Sequence, residues 1–172
     1  MANENSLMEF ISDTTPKYGY MADELVPFLL DLLRGSNELE RKMDKKYFEM
    51  EEERRRPGTP PRTDSNDINA LFAEHYKLFY EIAKDKCTEE LLARQDGRGF
   101  GANGEYGYID EEFQLKFTMK SAKKAIIETH FYKGPVDHTK HQFTLKLTDD
   151  GWRISEKKYS YDTETTWYKD KI

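Results

Sequence analysis

The chain has 172 residues, enough for one domain of ordinary size with a hydrophobic core. It carries 27 Lys and Arg residues against 33 Asp and Glu residues, a formal charge of -6, so general binding to the phosphate backbone of nucleic acids is disfavoured. Aromatic residues make up 13% of the chain, which excludes a disordered protein.

Cellular location is suggested by two features. Cys87 is the one cysteine, which excludes a disulfide framework and a cysteine-rich zinc site. Residues 1–10 lack the basic and then apolar pattern of a secretory signal, and the apolar stretch 25–33 is too short to span a bilayer. We therefore expect a reduced, cytoplasmic protein without a membrane contact.

Two helices are predicted in the first third of the chain. The first is predicted over residues 27–34, because Pro27 suits a first helical position and Gly35 suits a C-terminal stop. The second is predicted to begin at Asn37, which with Glu40 resembles a capping box.

A third helix, residues 65–84, has the clearest periodicity. His75 lies on its apolar face, where we expect a hydrogen-bonded core histidine. Cys87 follows it and is expected to be a buried thiol, because no thiolate-stabilising signature surrounds it. A shorter amphipathic segment covers residues 88–94. The apolar face of the third helix consists of Ile68, Leu71, Phe72, His75, Leu78, Phe79 and Ile82.

The segment 96–110 is rich in glycine. Residues 99–104 match the pattern G-x-G-x-x-G of dinucleotide-binding turns. That pattern needs a strand before it and a helix after it, and neither is predicted here. We interpret the segment as a loop.

Four strands are predicted in the second half, over residues 113–119, 123–132, 141–148 and 152–159. Asp149-Asp150-Gly151 predicts a tight hairpin between the last two strands. The side chains expected to face inward include Ile127, Thr129, Phe131, Phe143, Leu145, Leu147, Trp152 and Ile154.

Together these elements predict an α+β fold in a single domain, residues 1–172, with helices packed on one curved antiparallel sheet. Residues 1–63 form its helical N-terminal part and include an exposed Pro-rich loop, 57–63. Residues 64–172 supply the third helix, expected in the concavity of the sheet, and the strands. The predicted core comprises Phe72, Leu78, Phe79, Phe117, Ile127, Phe143, Leu145, Trp152 and Ile154.

The sequence contains no motif that we assign to catalysis. His130, His138 and His141 surround one hairpin with Asp137 as the one close carboxylate, and we interpret them as surface histidines rather than a metal site. An enzyme would need an inward carboxylate beside a Tyr or His, whereas the predicted inner faces carry Phe, Leu, Met and Ile. We expect no catalytic activity, cofactor or metal.

Several segments carry a family resemblance: residues 70–77 (Ala-Leu-Phe-Ala-Glu-His-Tyr-Lys), 85–88 (Asp-Lys-Cys-Thr) with Gly97-Arg98, 123–129, 141–147 and above all 150–159 (Asp-Gly-Trp-Arg-Ile-Ser-Glu-Lys-Lys-Tyr). In this order they resemble predicted bacterial immunity proteins of nuclear-transport-factor-2-like fold. The resemblance covers about residues 68–172. It implies a cone-shaped sheet and a protein that neutralises a cognate secreted toxin by binding its toxic domain. It implies no catalytic residues.

Two rival functions remain open: a small-molecule-binding or isomerase- or dehydratase-like enzyme of the same fold, and a homodimeric scaffold that pairs through its exposed sheet face. For toxin binding we favour the glycine-rich loop over the chain's tail, because interfaces centre on aromatic anchors and loops carry recognition. The polar sheet face around Lys116, Glu128, Thr144 and Arg153 is the alternative surface. The predicted binding residues are Phe100, Glu105, Tyr106, Tyr108, Asp110, Glu111 and Glu112 in the loop, and Tyr161, Asp162, Glu164, Trp167 and Tyr168 in the tail.

Overall fold

The computed structural model describes residues 8–61, 65–95, 99–101, 104–131 and 139–172. The predicted turn around His138 lies outside these ranges. The α+β class is confirmed. The elements are strand β1 (Met8–Ser12), helices α1 (Met21–Arg54), α2 (Asn66–Ala83) and α3 (Glu89–Leu92), and strands β2 (Phe113–Ser121), β3 (Lys124–His130), β4 (Thr139–Thr148), β5 (Gly151–Tyr161) and β6 (Tyr168–Asp170).

The strands form one curved, open sheet in the order β1 to β6. The sheet is mixed rather than wholly antiparallel, because β1 pairs in parallel with β2. Neither β1 nor the three-residue β6 was predicted, since both are too short to show a periodic pattern. Register shifts lie between Met119 and Ser121 and between Thr144 and Leu145. Such bulges bend a sheet and increase its twist.

The two helices predicted before residue 60 form a single helix, α1, which corrects the prediction. Pro27 lies inside it and costs one backbone hydrogen bond, while Leu25, Leu29 and Leu33 on either side are fully buried. Gly35 does not end the helix, since α1 continues to Arg54, and Gly35 lacks the positive φ of a C-terminal glycine. A Cβ there would lie 3.5 Å from the Ile82 Cδ1 atom, so Gly35 lies where α2 approaches α1.

Helices α1 and α2 pack antiparallel to each other. Arg54 near the end of α1 contacts Asp67 at the start of α2, and the Lys86 Nζ atom beyond α2 donates to the Phe28 carbonyl oxygen at 2.9 Å. Twelve residues of α1 are buried but only four of α2, so α1 is the helix with the larger buried face. The buried residues of α2 are Leu71, His75, Phe79 and Ala83.

The core lies between the helices and the inner face of the sheet. Most of its predicted members are buried, as are His75 and Cys87. The prediction that Phe72 is in the core was wrong, because its side chain is 41% exposed. The buried side of α2 is the one that carries Leu71, His75, Phe79 and Ala83. Leu147, at the end of its hairpin, is also exposed. The predicted core residues that are buried are Phe79, Phe117, Ile127, Phe143, Leu145, Trp152 and Ile154.

Candidate functional site

A fully buried lysine, Lys157, lies on the inner face of the sheet. It pairs in register with Phe143 on β4, whose ring is in the core. The bulge in this ladder makes Ser155 an extra residue on β5, because Leu145 pairs with Ile154 and Thr144 with Glu156. Simple alternation from Ile154 would have pointed Lys157 outward, so the bulge turns the lysine into the core.

Two carboxylates surround the Lys157 ammonium group. Its Nζ atom contacts Glu105 Oε1 and lies 2.8 Å from Asp170 Oδ2. It also lies 4.8 Å from the centre of the Tyr106 ring, a cation–π contact. Glu105 comes from the loop before β2 and Asp170 from β6. A buried ammonium requires such compensation, so this one charge joins three separate segments of the chain.

A hydrogen-bonded chain of three side chains adjoins the lysine. The Tyr108 hydroxyl lies 2.7 Å from the Thr129 hydroxyl and 2.9 Å from His141 Nδ1. Burial and the nearby positive charge of Lys157 hold the pKa of His141 well below its usual range, so the ring is neutral at pH 7. Burial raises the pKa of the Tyr108 hydroxyl, which keeps its proton.

The loop that carries Glu105 is fixed to α1. The Asn37 Oδ1 atom accepts the Tyr106 backbone N–H at 2.9 Å, and Glu40 Oε2 accepts the Glu105 N–H at 3.2 Å. Gly104 is necessary at this approach: its φ is +67°, and a Cβ would lie 2.5 Å from Asn37 Oδ1. Asn37, which the sequence suggested as a helix cap, therefore serves as a loop anchor inside α1.

Ligand atoms of Glu105, His141 and Asp170 all lie within 4.8 Å of one another. Two carboxylates and an imidazole could hold a divalent cation. The ammonium group of Lys157 already contacts both carboxylates, so a metal ion would have to displace it. The cation at this site is supplied by the chain itself.

The sequence led to two errors about this site. The inner face is not purely apolar, and His141 is buried rather than a surface residue. The second error was avoidable, because the alternation that turns Phe143 and Leu145 inward does the same for His141. His130, on the other face, is half-buried and contacts Asp162, so it is less exposed than the surface histidine predicted from the sequence.

The predicted binding loop packs largely onto its own domain. Tyr106 is fully buried, so it cannot contact a partner while the loop stays closed. Phe100 lies against Phe72 and His75 of α2, with ring centres 5.1 and 5.4 Å away. Among the acidic residues, Asp110 forms a 2.8 Å ion pair with Arg41 of α1, Glu111 is exposed and Glu112 is half-buried.

Of the predicted tail residues, Tyr161, Asp162 and Tyr168 are exposed, and Glu164 and Trp167 are half-buried. Tyr161 and Tyr168 are 38% and 41% exposed. Their rings flank Tyr159, with ring centres 5.8 and 5.3 Å from it. We call Tyr161, Asp162, Glu164, Trp167 and Tyr168 the tail surface.

Lys140 on β4 contacts two residues of the tail surface, Glu164 and Trp167. Its Nζ atom lies 5.6 Å from the centre of the Trp167 ring and donates to the Glu164 carbonyl oxygen at 3.3 Å. Asp162 is held by its contact with His130. The tail surface is therefore ordered as well as exposed.

Two segments that carry the family resemblance, 85–88 and 150–159, meet in the structure. Cys87 and Ile154 form an isolated parallel bridge between them. The Ile154 N–H donates to the Lys86 carbonyl oxygen at 2.8 Å, and the Thr88 N–H donates to the Ile154 carbonyl oxygen at 2.9 Å. Thr88 also caps α3, accepting the Leu91 N–H at 3.3 Å.

Within the described ranges, no helix has the length and apolar character needed to cross a membrane. Comparison of the chain with protein-family models, with curated proteins and with solved structures returns no match.

Proposed function

We propose that the chain is a bacterial immunity protein that binds the toxic domain of a cognate secreted toxin and occludes its active site. The observation that carries this proposal is the bridge between Cys87 and Ile154. The resemblance rests on an ordered set of short motifs, and two of them, more than 60 residues apart, form one hydrogen-bonded unit. We also propose that the curved sheet is the cone of the nuclear-transport-factor-2-like fold.

We propose the tail surface as the part that contacts the toxin. Exposed tyrosine side chains such as Tyr161 and Tyr168 give contact area at low entropic cost, and tyrosine is enriched among the residues that dominate protein interfaces. Acidic groups beside them, such as Asp162, suit a basic toxin cleft. The loop, which we favoured from the sequence, becomes the second choice because its most central aromatic side chain, Tyr106, is buried.

The buried Lys157 supports this proposal because it helps to fix the position of β6. β6 pairs with β5 so that Asp170 lies opposite Lys157 and Tyr168 lies opposite Tyr159. The ion pair between Lys157 and Asp170 therefore holds the strand on which Tyr168 is presented. A surface ordered before binding loses less entropy when it binds, which strengthens affinity.

The test is co-expression with the toxic domain encoded beside this chain's gene. The wild-type chain should restore growth of cells that make the toxin. The double variant Tyr161→Ala/Tyr168→Ala should lose protection while it stays folded, with a melting temperature lowered by only a few degrees. Tyr20→Ala is the matched control, because Tyr20 is 67% exposed and lies at the other end of the chain. Failure of the wild-type chain to protect would refute the proposal.

A second candidate is a ligand-binding or proton-transferring protein of the same fold. It is favoured by the position of Glu105 and Asp170, which are about one-third exposed beside the neutral His141. A solvent-accessible carboxylate next to a histidine is the grouping that proton transfer needs. Against it, Lys157 already neutralises both carboxylates. Protection by a folded Glu105→Gln/Asp170→Asn variant would show that this grouping is not needed for toxin binding.

A further inference from the structure

Three cations lie side by side across the outer face of the sheet. Lys124 on β3 pairs directly with Lys146 on β4, and Lys146 pairs directly with Arg153 on β5. Their chain neighbours Ala125, Leu145 and Ile154 are buried, so strand alternation points all three cations to solvent. Side chains paired in this way have Cβ atoms about 5 Å apart. We call these three residues the basic row.

Three other lysines on this face are compensated by carboxylates. Lys116 lies 3.5 Å from Asp13, and Lys158 lies 3.2 Å from Glu156. Lys169 of β6 shares Glu156 at 3.7 Å. For the basic row, in contrast, no carboxylate of the described residues lies within 4.0 Å. The guanidinium of Arg153 donates to the neighbouring Trp152 carbonyl oxygen at 2.9 Å.

The basic row does not serve the stability of the fold. Like charges directly opposite on neighbouring strands destabilise a sheet, and a threonine or valine would suit these exposed strand positions better. The arrangement is also unusual for this chain, whose net charge is -6. A concentrated positive row on an acidic protein is therefore a candidate binding surface.

We infer that the basic row binds an acidic surface of a partner protein. A protein partner is favoured over a nucleic acid, because three cations can neutralise only a few phosphates and nucleic-acid binding depends on neutralising many. The row is distant from the two tyrosines of the tail surface, Tyr161 and Tyr168. Arg153 and Tyr161 lie on opposite faces of β5, about 26 Å apart along the strand at about 3.3 Å per residue. The inference thus adds a second contact surface and does not depend on toxin binding.

The probe is a fluorescent ten-residue polyglutamate peptide, with anisotropy as the readout for the full chain. The wild-type chain should bind the peptide and lose affinity as salt is raised. Lys146→Thr should weaken binding about tenfold, because it removes the central charge of the row. Lys158→Thr is the matched control on the same face and should change affinity less than about twofold, since Lys158 is already paired with Glu156.

Measuring the melting temperature distinguishes a binding role of the basic row from a structural role. Lys146→Thr should raise the melting temperature, because it relieves like-charge repulsion, while it weakens peptide binding. Equal losses in the Lys146→Thr and Lys158→Thr variants, or no binding by the wild-type chain, would overturn the inference. So would tighter binding of a single-stranded oligonucleotide through the same residues, or burial of the row in a homodimer that Lys146→Thr dissociates.

Discussion

The Lys157 Nζ atom and the Asp170 Oδ2 atom lie 2.8 Å apart and join the last strand to the inside of the sheet. Lys157→Met should therefore destabilise the protein by about 3 kcal/mol, because it leaves the Glu105 and Asp170 carboxylates facing each other without the ammonium. Urea unfolding measures the loss. The neighbouring Lys158→Met is the control and should cost less than about 1 kcal/mol.

The same ion cluster predicts a compensated variant. Lys157→Met combined with Glu105→Gln and Asp170→Asn removes all three charges, and neutral replacement of a buried ion cluster is often tolerated. The triple variant should recover much of the stability lost in Lys157→Met. If the triple variant were less stable than the single variant, the charges would not be the source of the effect.

Gly104 is predicted to be sensitive to substitution. Gly104→Ala places a Cβ 2.5 Å from Asn37 Oδ1 at a residue with φ of +67°. The variant should lose roughly 1–3 kcal/mol of unfolding free energy, because the loop must shift away from α1. Gly101→Ala is the matched control: it has open space around it and no positive φ, so it should leave stability nearly unchanged.

Stability should fall in mild acid because of His141. Its pKa is lowered in the folded state, so the unfolded chain takes up a proton below about pH 6.5 that the folded chain does not. The stabilisation is complete above that pH and declines as the pH falls. His141→Gln should reduce the loss of unfolding free energy between about pH 7 and pH 5.5 by about 1 kcal/mol. Equal losses in the variant and the wild-type chain would show that His141 takes up its proton in the folded state too.

Two phenylalanines of α2 should differ sharply in how much stability is lost when each is replaced by alanine. Phe79 is 1% exposed and Phe79→Ala should cost about 3–5 kcal/mol, the usual loss for an aromatic core residue. Phe72 is 41% exposed, and Phe72→Ala should cost less than about half as much. Similar unfolding midpoints for the two variants would mean that the orientation of α2 is wrong.

Periodicity predicted the parts of this fold that repeat over several residues. Strands β2 to β5, helix α2 and the buried positions Phe117, Ile127 and Phe143 follow from spacing alone. The errors came from local signals that tertiary packing overrides. Pro27 and Gly35 suggested helix ends. In the structure α1 continues through both positions, because residues before and after them are buried in the core.

The buried site was harder to predict, for reasons that differ by residue. His141 follows from strand alternation and could have been found. Lys157 could not, because its inward direction depends on the bulge that makes Ser155 an extra residue. Glu105 belongs to a loop and Asp170 to a three-residue strand. Neither segment is long and regular enough for a hydrophobic periodicity that would show which side chains face inward.

We propose that this chain acts by binding a toxin, and the test is calorimetric titration of the purified chain with the toxic domain that this proposal places beside its gene. We predict a one-to-one complex with a nanomolar dissociation constant, weakened at least about a hundredfold by Tyr161→Ala/Tyr168→Ala and not by Tyr20→Ala. Absence of binding by a correctly folded chain to an active toxic domain would refute the proposal that the chain is an immunity protein.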